Sequence, residues 1–284
     1  RDFCLSRGLG DVYKRQAQAI AEVERTVTNI QNYKRALEES PEMEMRSILN
    51  ALAGGYVAPT SGGDAVANPQ AVPTGRNLYA VNAETTPSEQ AWAKGKELAE
   101  NTLAQYKKTH GDYPRKVSYT FWSSEFIESE GATIAQVLYM LGVEPVRDAY
   151  GRVSDLQLIP SEQLGRPRVD VIVQTSGQFR DLAASRLALI SRAVEMAAAA
   201  TDDRYGNRVA ESTVETERLL VEQGVSPKDA REMSTQRVFG GVNGMYGTGI
   251  QDMITSGDKW TDEQEIADAY ITNMGCLLYT SPSP

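Results

Sequence analysis

The chain is short of the residues on which much active-site chemistry depends. Its 284 residues include two cysteines and one histidine. Both cysteines, Cys4 and Cys276, stand near the ends, so the body offers no disulfide framework, thiolate metal site or cysteine nucleophile. His110 follows a helical pattern and sits in a polar turn before Gly111 and Pro114. A Ser-His-Asp arrangement would have to be built on this one residue, and a metal site would need several carboxylates beside it. His110 therefore reads as a surface residue. No apolar run approaches the roughly 20 residues that a membrane-spanning helix needs, and no basic segment leads into an apolar one, so a soluble cytoplasmic protein is expected. An excess of base is also missing. The 29 Lys/Arg against 38 Asp/Glu give a net charge of −9, which lends no support to a nucleic-acid partner. His-Glu-x-x-His, Cys-x-x-Cys, Gly-x-Ser-x-Gly, a Walker A loop and the kinase set are absent. Any ATP-driven reaction would bind its nucleotide elsewhere.

What remains, 41% hydrophobic and 24% charged, is ordinary globular composition. The two ends stand apart. One short DNA element, read in opposite directions, would encode both Asp-Val-Tyr-Lys-Arg-Gln (11–16) and Cys-Leu-Leu-Tyr-Thr (276–280). Segments 1–16 and 276–284 are therefore read as adapter-like additions, with a coding body of 17–275 that is expected to be truncated at both ends. Within it, 17–50 reads as helix, with Ile20, Val23, Val27 and Ile30 recurring on one face and a break expected near Pro41. Segment 51–87 is dense in glycine and proline and reads as a long loop with apolar anchors. In it, Arg76 offers a forked cation suited to carboxylates and Asn77 both a donor and an acceptor; a structural loop with Arg76 in a salt bridge fits equally.

Segment 88–200 carries the α/β signal. Ser88 and Glu89 open a helix with Trp92, Leu98, Leu103 and Tyr106 on one stripe. Lys116–Trp122 is a strand by its β-branched and aromatic content. A loop over 123–131 follows, with Glu125, Glu128 and Glu130, and then a helix closed by Gly142. A strand-turn-strand fits 143–160, and 160–168 reads as a polar connector. Val169–Val173 is a mostly apolar β-branched run that breaks into a polar loop over 174–181, with a long helix from Leu182 to about Ala200. Two β-loop-α units of one parallel sheet would bring their carboxyl-end loops to one crevice, where ligands of open α/β sheets bind. Glu125 and Glu130 would then share a site with Ser176, Arg180 and Asp181. Clustered carboxylates suit a hard cation or proton acceptance. Helix-start acids, and a plain turn with Ser176 or Asp181 as helix cap, explain the same residues. Segment 201–275 reads as helices at 209–223 and from Ser226, a Gly-rich run over 237–249 with no clear preceding strand, and a mixed closing helix over 260–274.

An ordered series of these stretches resembles the large subunits of the cobaltochelatase and magnesium-chelatase family. They are Gly54-Gly55-Tyr56 with Ser61-Gly62-Gly63-Asp64, Leu78 within Pro73–Tyr79, and Trp122–Gly131. Leu141-Gly142-Val143-x-Pro145 with Asp148-x-x-Gly151-Arg152, Leu164–Asp170, Ser176-Gly177-x-Phe179-Arg180-Asp181, and Arg237-x-Phe239-Gly240 with Tyr246-Gly247-Thr248-Gly249 continue it. Arg76-Asn77-Leu78-Tyr79 with the Gly-Gly-Asp64 run looks closest to the cobalt branch. The resemblance implies a piece of a much larger tetrapyrrole-binding subunit that inserts Co(II) into hydrogenobyrinic acid a,c-diamide. ATP would be hydrolysed by AAA+ partner subunits with metal-binding-domain companions. The magnesium branch, acting on protoporphyrin IX, and a binding-only corrinoid- or metal-handling relative are the alternatives. By this resemblance Glu125 and Glu130 are catalytic candidates, with Glu130 also the candidate metal contact. Arg76, Asn77, Trp122, Ser176, Arg180, Asp181 and Tyr246 are candidates for substrate binding. Two departures stand out. The family's His-Gly-Thr-x-x-Glu segment is missing here, and Ser129-Glu130-Gly131 stands where the family often has His-Glu-Gly.

Overall fold

The structure, a computed structural model, describes residues 2–60, 71–78, 81–201, 203–241, 246–258 and 260–278. Ser61–Asp64, Tyr79 and Val242–Met245, singled out above, lie outside the described residues. The chain divides into two compact units, Arg1–Ala80 and Val81–Pro284.

The first unit is dominated by helix α1, Asp2–Leu52. It runs straight through Pro41, where a break was expected. Proline removes one intrahelical donor, and the flanking turns hold the helix despite it. Just before it, Ser40 donates its hydroxyl to the Ala36 carbonyl at 2.7 Å. Beyond α1 the expected loop contains two short parallel strands, β1 (Pro59–Thr60) and β2 (Asn77–Leu78).

The second unit is an α/β fold, as its sequence pattern indicates. A 3-10 turn at Ala83–Thr85 leads to helix α2, Glu89–His110. Ser88 caps α2 by accepting the Ala91 N–H at 3.1 Å, and Gly111 ends it in the left-handed conformation. Strand β3 (Lys116–Phe121), short helix α3 (Ser123–Ser129), helix α4 (Ala132–Leu141) and the antiparallel hairpin β4 (Val143–Arg147) and β5 (Val153–Leu158) follow. One helical turn, α5 (Ser161–Leu164), then leads into strand β6 (Asp170–Thr175) and helix α6 (Gly177–Ala198). Helices α7 (Arg208–Glu222) and α8 (Pro227–Ser234), strand β7 (Val238–Gly240), helices α9 (Gln251–Ser256) and α10 (Glu263–Met274), and strand β8 (Cys276–Leu277) complete it.

The sheet order is β3-β6-β7-β8, parallel across the first three strands and antiparallel at β8. Lys116 to Phe121 pair in register with Asp170 to Thr175, so β3 and β6 end level. Strand β7 was missed in the sequence because Val-Phe-Gly is too short to show a period. Helix α4 is apolar almost all round and is buried accordingly, with Ile134, Val137, Leu138 and Leu141 in the core. Helix α2 crosses α4 at Gly95, where an added Cβ would lie 2.4 Å from the Ala135 Cβ. Phe121, Phe126 and Phe179 tie β3, α3 and α6 together, with ring centroids 5.0 and 5.1 Å apart.

The expected polar connector 160–168 is instead largely interior. Arg168 is fully buried and donates to the carbonyls of Gly142 (2.6 Å) and Ile159 (2.9 Å), with Asp203 at 2.8 Å on its Nε. Arg166 donates to the Tyr139 carbonyl at 2.6 Å, and burial lowers its pKa. A third buried arginine, Arg237, grips Asp170 through Nε at 2.9 and 3.2 Å. These guanidiniums satisfy backbone acceptors that a helix end or loop would otherwise leave unpaired in the interior. Among the described residues no helix is long and apolar enough to cross a membrane.

Candidate functional site

The loops expected after β3 and β6 are mostly helix. Strand β6 runs through Thr175, and Ser176 is the N-cap of α6, accepting the Phe179 N–H at 3.2 Å. Helix α6 therefore begins at Gly177, not Leu182. The residues read as loop are its first turns, with Gln178 and Asp181 exposed but Phe179 in the core, and the helix is interrupted at Ala183 (φ −138°, ψ 37°). Residues 123–129 likewise form α3, with Glu130 (φ 52°) and Gly131 (φ 89°) turning the chain into α4. Capping was the simpler reading of Ser176, and the geometry agrees with it. Ser176→Ala should cost about 1 kcal/mol, the usual worth of an N-cap. Thermal unfolding would show this as a drop of roughly 2–4 °C.

At the carboxyl edge of the sheet, Trp122 and Ser176 directly follow the paired ends Phe121 and Thr175. Trp122 is 40% exposed. Beside it, the Ser123 hydroxyl meets the Gln178 amide oxygen at 3.1 Å, linking α3 to the start of α6. Arg180 donates from Nη1 to the Gly241 carbonyl at 2.8 Å, just past the end of β7, and its Nε lies 3.6 Å from an Asp181 oxygen. Tyr246 donates its phenol to the other Asp181 oxygen at 2.8 Å. That hydrogen bond and the Asp181 charge raise the Tyr246 pKa above its ordinary value. Arg180, Asp181 and Tyr246 therefore form one hydrogen-bonded array, anchored to β7 at one end. Sequence reasoning missed two groups at this edge. Gln174, next to last in β6, accepts the Tyr270 phenol of α10 at 2.9 Å. Only its place at a strand end marked it.

The carboxylates of the first loop do not join that array. One oxygen of Glu125 accepts both the Ser129 and the Thr133 hydroxyl at 2.7 Å. Ser129 also accepts the Ala132 N–H at 3.1 Å, so this half-buried group pins α3 to the start of α4. Glu130 offers its backbone carbonyl to the Ser88 N–H at 3.1 Å, and its carboxylate makes no hydrogen bond or ion pair among the described residues. No cluster of three or more His, Cys, Asp or Glu placed to hold a metal ion occurs among the described residues. Arg76 and Asn77 belong to the first unit. There they line a cleft of about 920 Å³ with Glu44, Ile48, Tyr56 and Val57, and the Asn77 N–H donates to the Ala58 carbonyl at 2.9 Å.

Comparison with known proteins gives a consistent picture. The family model described as CobN/Magnesium Chelatase matches residues 9–282. The magnesium-chelatase subunit ChlH of Oryza sativa subsp. indica is 36% identical over 230 residues, which cover 81% of this chain and 16% of that protein. The aerobic cobaltochelatase subunit CobN of a Sinorhizobium species is 35% identical over 241 residues, 84% of this chain and 19% of that one. Among solved structures, the catalytic subunit of cobaltochelatase from Mycobacterium tuberculosis superposes with a TM-score of 0.72 at 34% identity. It covers 83% of this chain, and this chain covers 19% of it. The chain thus spans less than a fifth of these relatives' length.

Proposed function

Because the chain belongs to the CobN/magnesium chelatase family, we propose that it is part of the tetrapyrrole-binding large subunit of an ATP-dependent metal chelatase of the cobalt branch. The whole subunit would insert Co(II) into hydrogenobyrinic acid a,c-diamide. ATP hydrolysis would fall to AAA+ partner subunits with metal-binding-domain companions. The observation that carries the site assignment is the array at the carboxyl edge of the sheet. A half-exposed indole, Trp122, offers a flat apolar face to a macrocycle, and Arg180, Asp181 and Tyr246 offer donors and acceptors for its polar side groups. Ser176 holds the start of α6 against this edge.

Metal insertion releases two pyrrole N–H protons as the divalent ion enters, so a base near the ring centre lowers the barrier. Glu130, whose carboxylate is not committed to a neighbour, is the better placed acceptor and candidate metal contact. Glu125 would first have to give up its Ser129 and Thr133 hydroxyls. That locked state of Glu125, held by the serine that replaces a family histidine, favours one second reading: a relative that binds corrinoid or metal without inserting it.

Titrating the full-length gene product with hydrogenobyrinic acid a,c-diamide and, separately, with protoporphyrin IX tests the proposal through fluorescence quenching. Tight binding of the corrin precursor alone supports the cobalt branch. Binding of protoporphyrin alone assigns the magnesium branch, to whose subunit the identity is as high. Binding without metal insertion, partners and ATP supplied, selects the second reading. Arg180→Ala should weaken binding at least tenfold, about 1.4 kcal/mol. Unchanged binding in a folded variant would remove Arg180 from the site.

A further inference from the structure

The first unit presents a surface that the proposed chemistry does not use. In α1, Ile20, Val23, Val27, Ile30, Lys34 and Leu37 follow one another at alternating spacings of three and four. This is the seam of a coiled coil, apolar at every layer except Lys34. The five apolar members are 48–63% exposed, and from residue 16 to 52 only Ser40 is buried. A helix of this length draws its stability from tertiary packing of its apolar face, so the seam calls for a partner helix.

We propose that the Ile20–Leu37 seam receives a helix from the remainder of the same large-subunit polypeptide; this rests on the family reading above. Two observations select that occupant. The chain covers only 16–19% of its relatives' length, so most of such a subunit is available to supply it. A second copy of α1 fits poorly. Parallel pairing in register sets Lys34 against Lys34 of the other copy. Antiparallel pairing about the seam's centre sets each Lys34, whose Nζ lies 3.9 Å from Glu38 of its own helix, against a Val23, so two otherwise apolar layers each take a lysine. One foreign helix has a single lysine to accommodate. The flanking Glu24 further specifies a partner with a basic residue along its edge.

Hydrogen exchange read by mass spectrometry, on the full-length gene product and on this 284-residue chain, tests the inference, with the α4 peptide 132–141 as the reference for a folded core. The expected result is exchange over 20–37 at least tenfold slower in the full-length subunit, with α4 equal in both and Val27→Asp in the full-length subunit abolishing the difference. Equal rates over 20–37 would overturn it. So would protection already present in the short chain together with a dimeric mass in solution, which would assign the seam to a second copy. Failure of the full-length subunit to bind any tetrapyrrole would sink the chelatase reading and leave the exchange result standing, so the two failures are separable.

Discussion

Asp170→Ala is expected to remove about 3–5 kcal/mol of stability, the cost of stranding a buried charge. Asp170 is inaccessible to solvent and accepts from Arg237 Nε at 2.9 and 3.2 Å, from Lys116 Nζ at 3.1 Å and from the Val171 N–H at 2.9 Å. Removing the carboxylate leaves the Arg237 guanidinium in the interior with carbonyls but no counter-charge. At roughly 2–4 °C per kcal/mol for a unit of this size, the melting temperature should fall on the order of 10 °C. A paired replacement, Asp170→Leu with Arg237→Met, should recover a large part of the loss, because no uncompensated charge remains. If Asp170→Ala melts within 2 °C of the wild type, roughly 1 kcal/mol, the pair is not holding the sheet. The effect should also reach the site. Arg237 precedes β7, and its carbonyl accepts the Val173 N–H at 2.8 Å, which fixes the register that brings Gly241 to Arg180. On the proposed function, loosening the amino end of β7 should therefore weaken tetrapyrrole binding at its carboxyl end even where the variant stays folded.

Gly95→Ala should destabilise by about 1–3 kcal/mol, although the same change in a free helix stabilises by about 1 kcal/mol. The reversal of sign is the test. The new methyl would sit 2.4 Å from the Ala135 Cβ and 2.8 Å from the Ala132 carbonyl, so α2 and α4 must separate. Ala91, Ala99 and Leu103 on the buried face of α2 would lose contact as they do. Chemical denaturation settles it. A midpoint at higher denaturant with an unchanged slope would mean that the helices are not in close contact at this crossing.

How far the sequence disclosed the fold depends on where burial and hydrogen bonding were local. Strands β3 and β6 announced themselves through β-branched and aromatic runs, and Ser88, Gly111, Gly142, Ser226 and Pro227 mark helix ends because caps act within a few residues. Residues 123–129 and 177–181 passed for loops because each is polar apart from a few apolar residues, Phe126 and Ile127 in one and Phe179 in the other, and so few apolar residues show no helical period. Arg166 and Arg168 read as part of a polar connector, and nothing in the sequence marks Arg237 as buried. Their partners are carbonyls and carboxylates distant in sequence, such as Gly142, Asp203 and Asp170, so no short-range pattern reveals their burial. At the site, the proximity of Ser176, Arg180 and Asp181 followed from their spacing. The Asp181–Tyr246 and Gln174–Tyr270 bonds span 65 and 96 residues and required the fold. The same holds for Glu125, whose type suggests a free base while its Ser129 and Thr133 neighbours make it a fastener.

The buried arginine clamps lie around the amino end of β6, whereas Trp122, Arg180, Asp181 and Tyr246 lie at the carboxyl edge, all but Arg180 with much of their surface open. On the proposed function, stability and recognition fall at opposite ends of one sheet, and a library confined to those four positions tests whether ring preference can change while the fold keeps its stability.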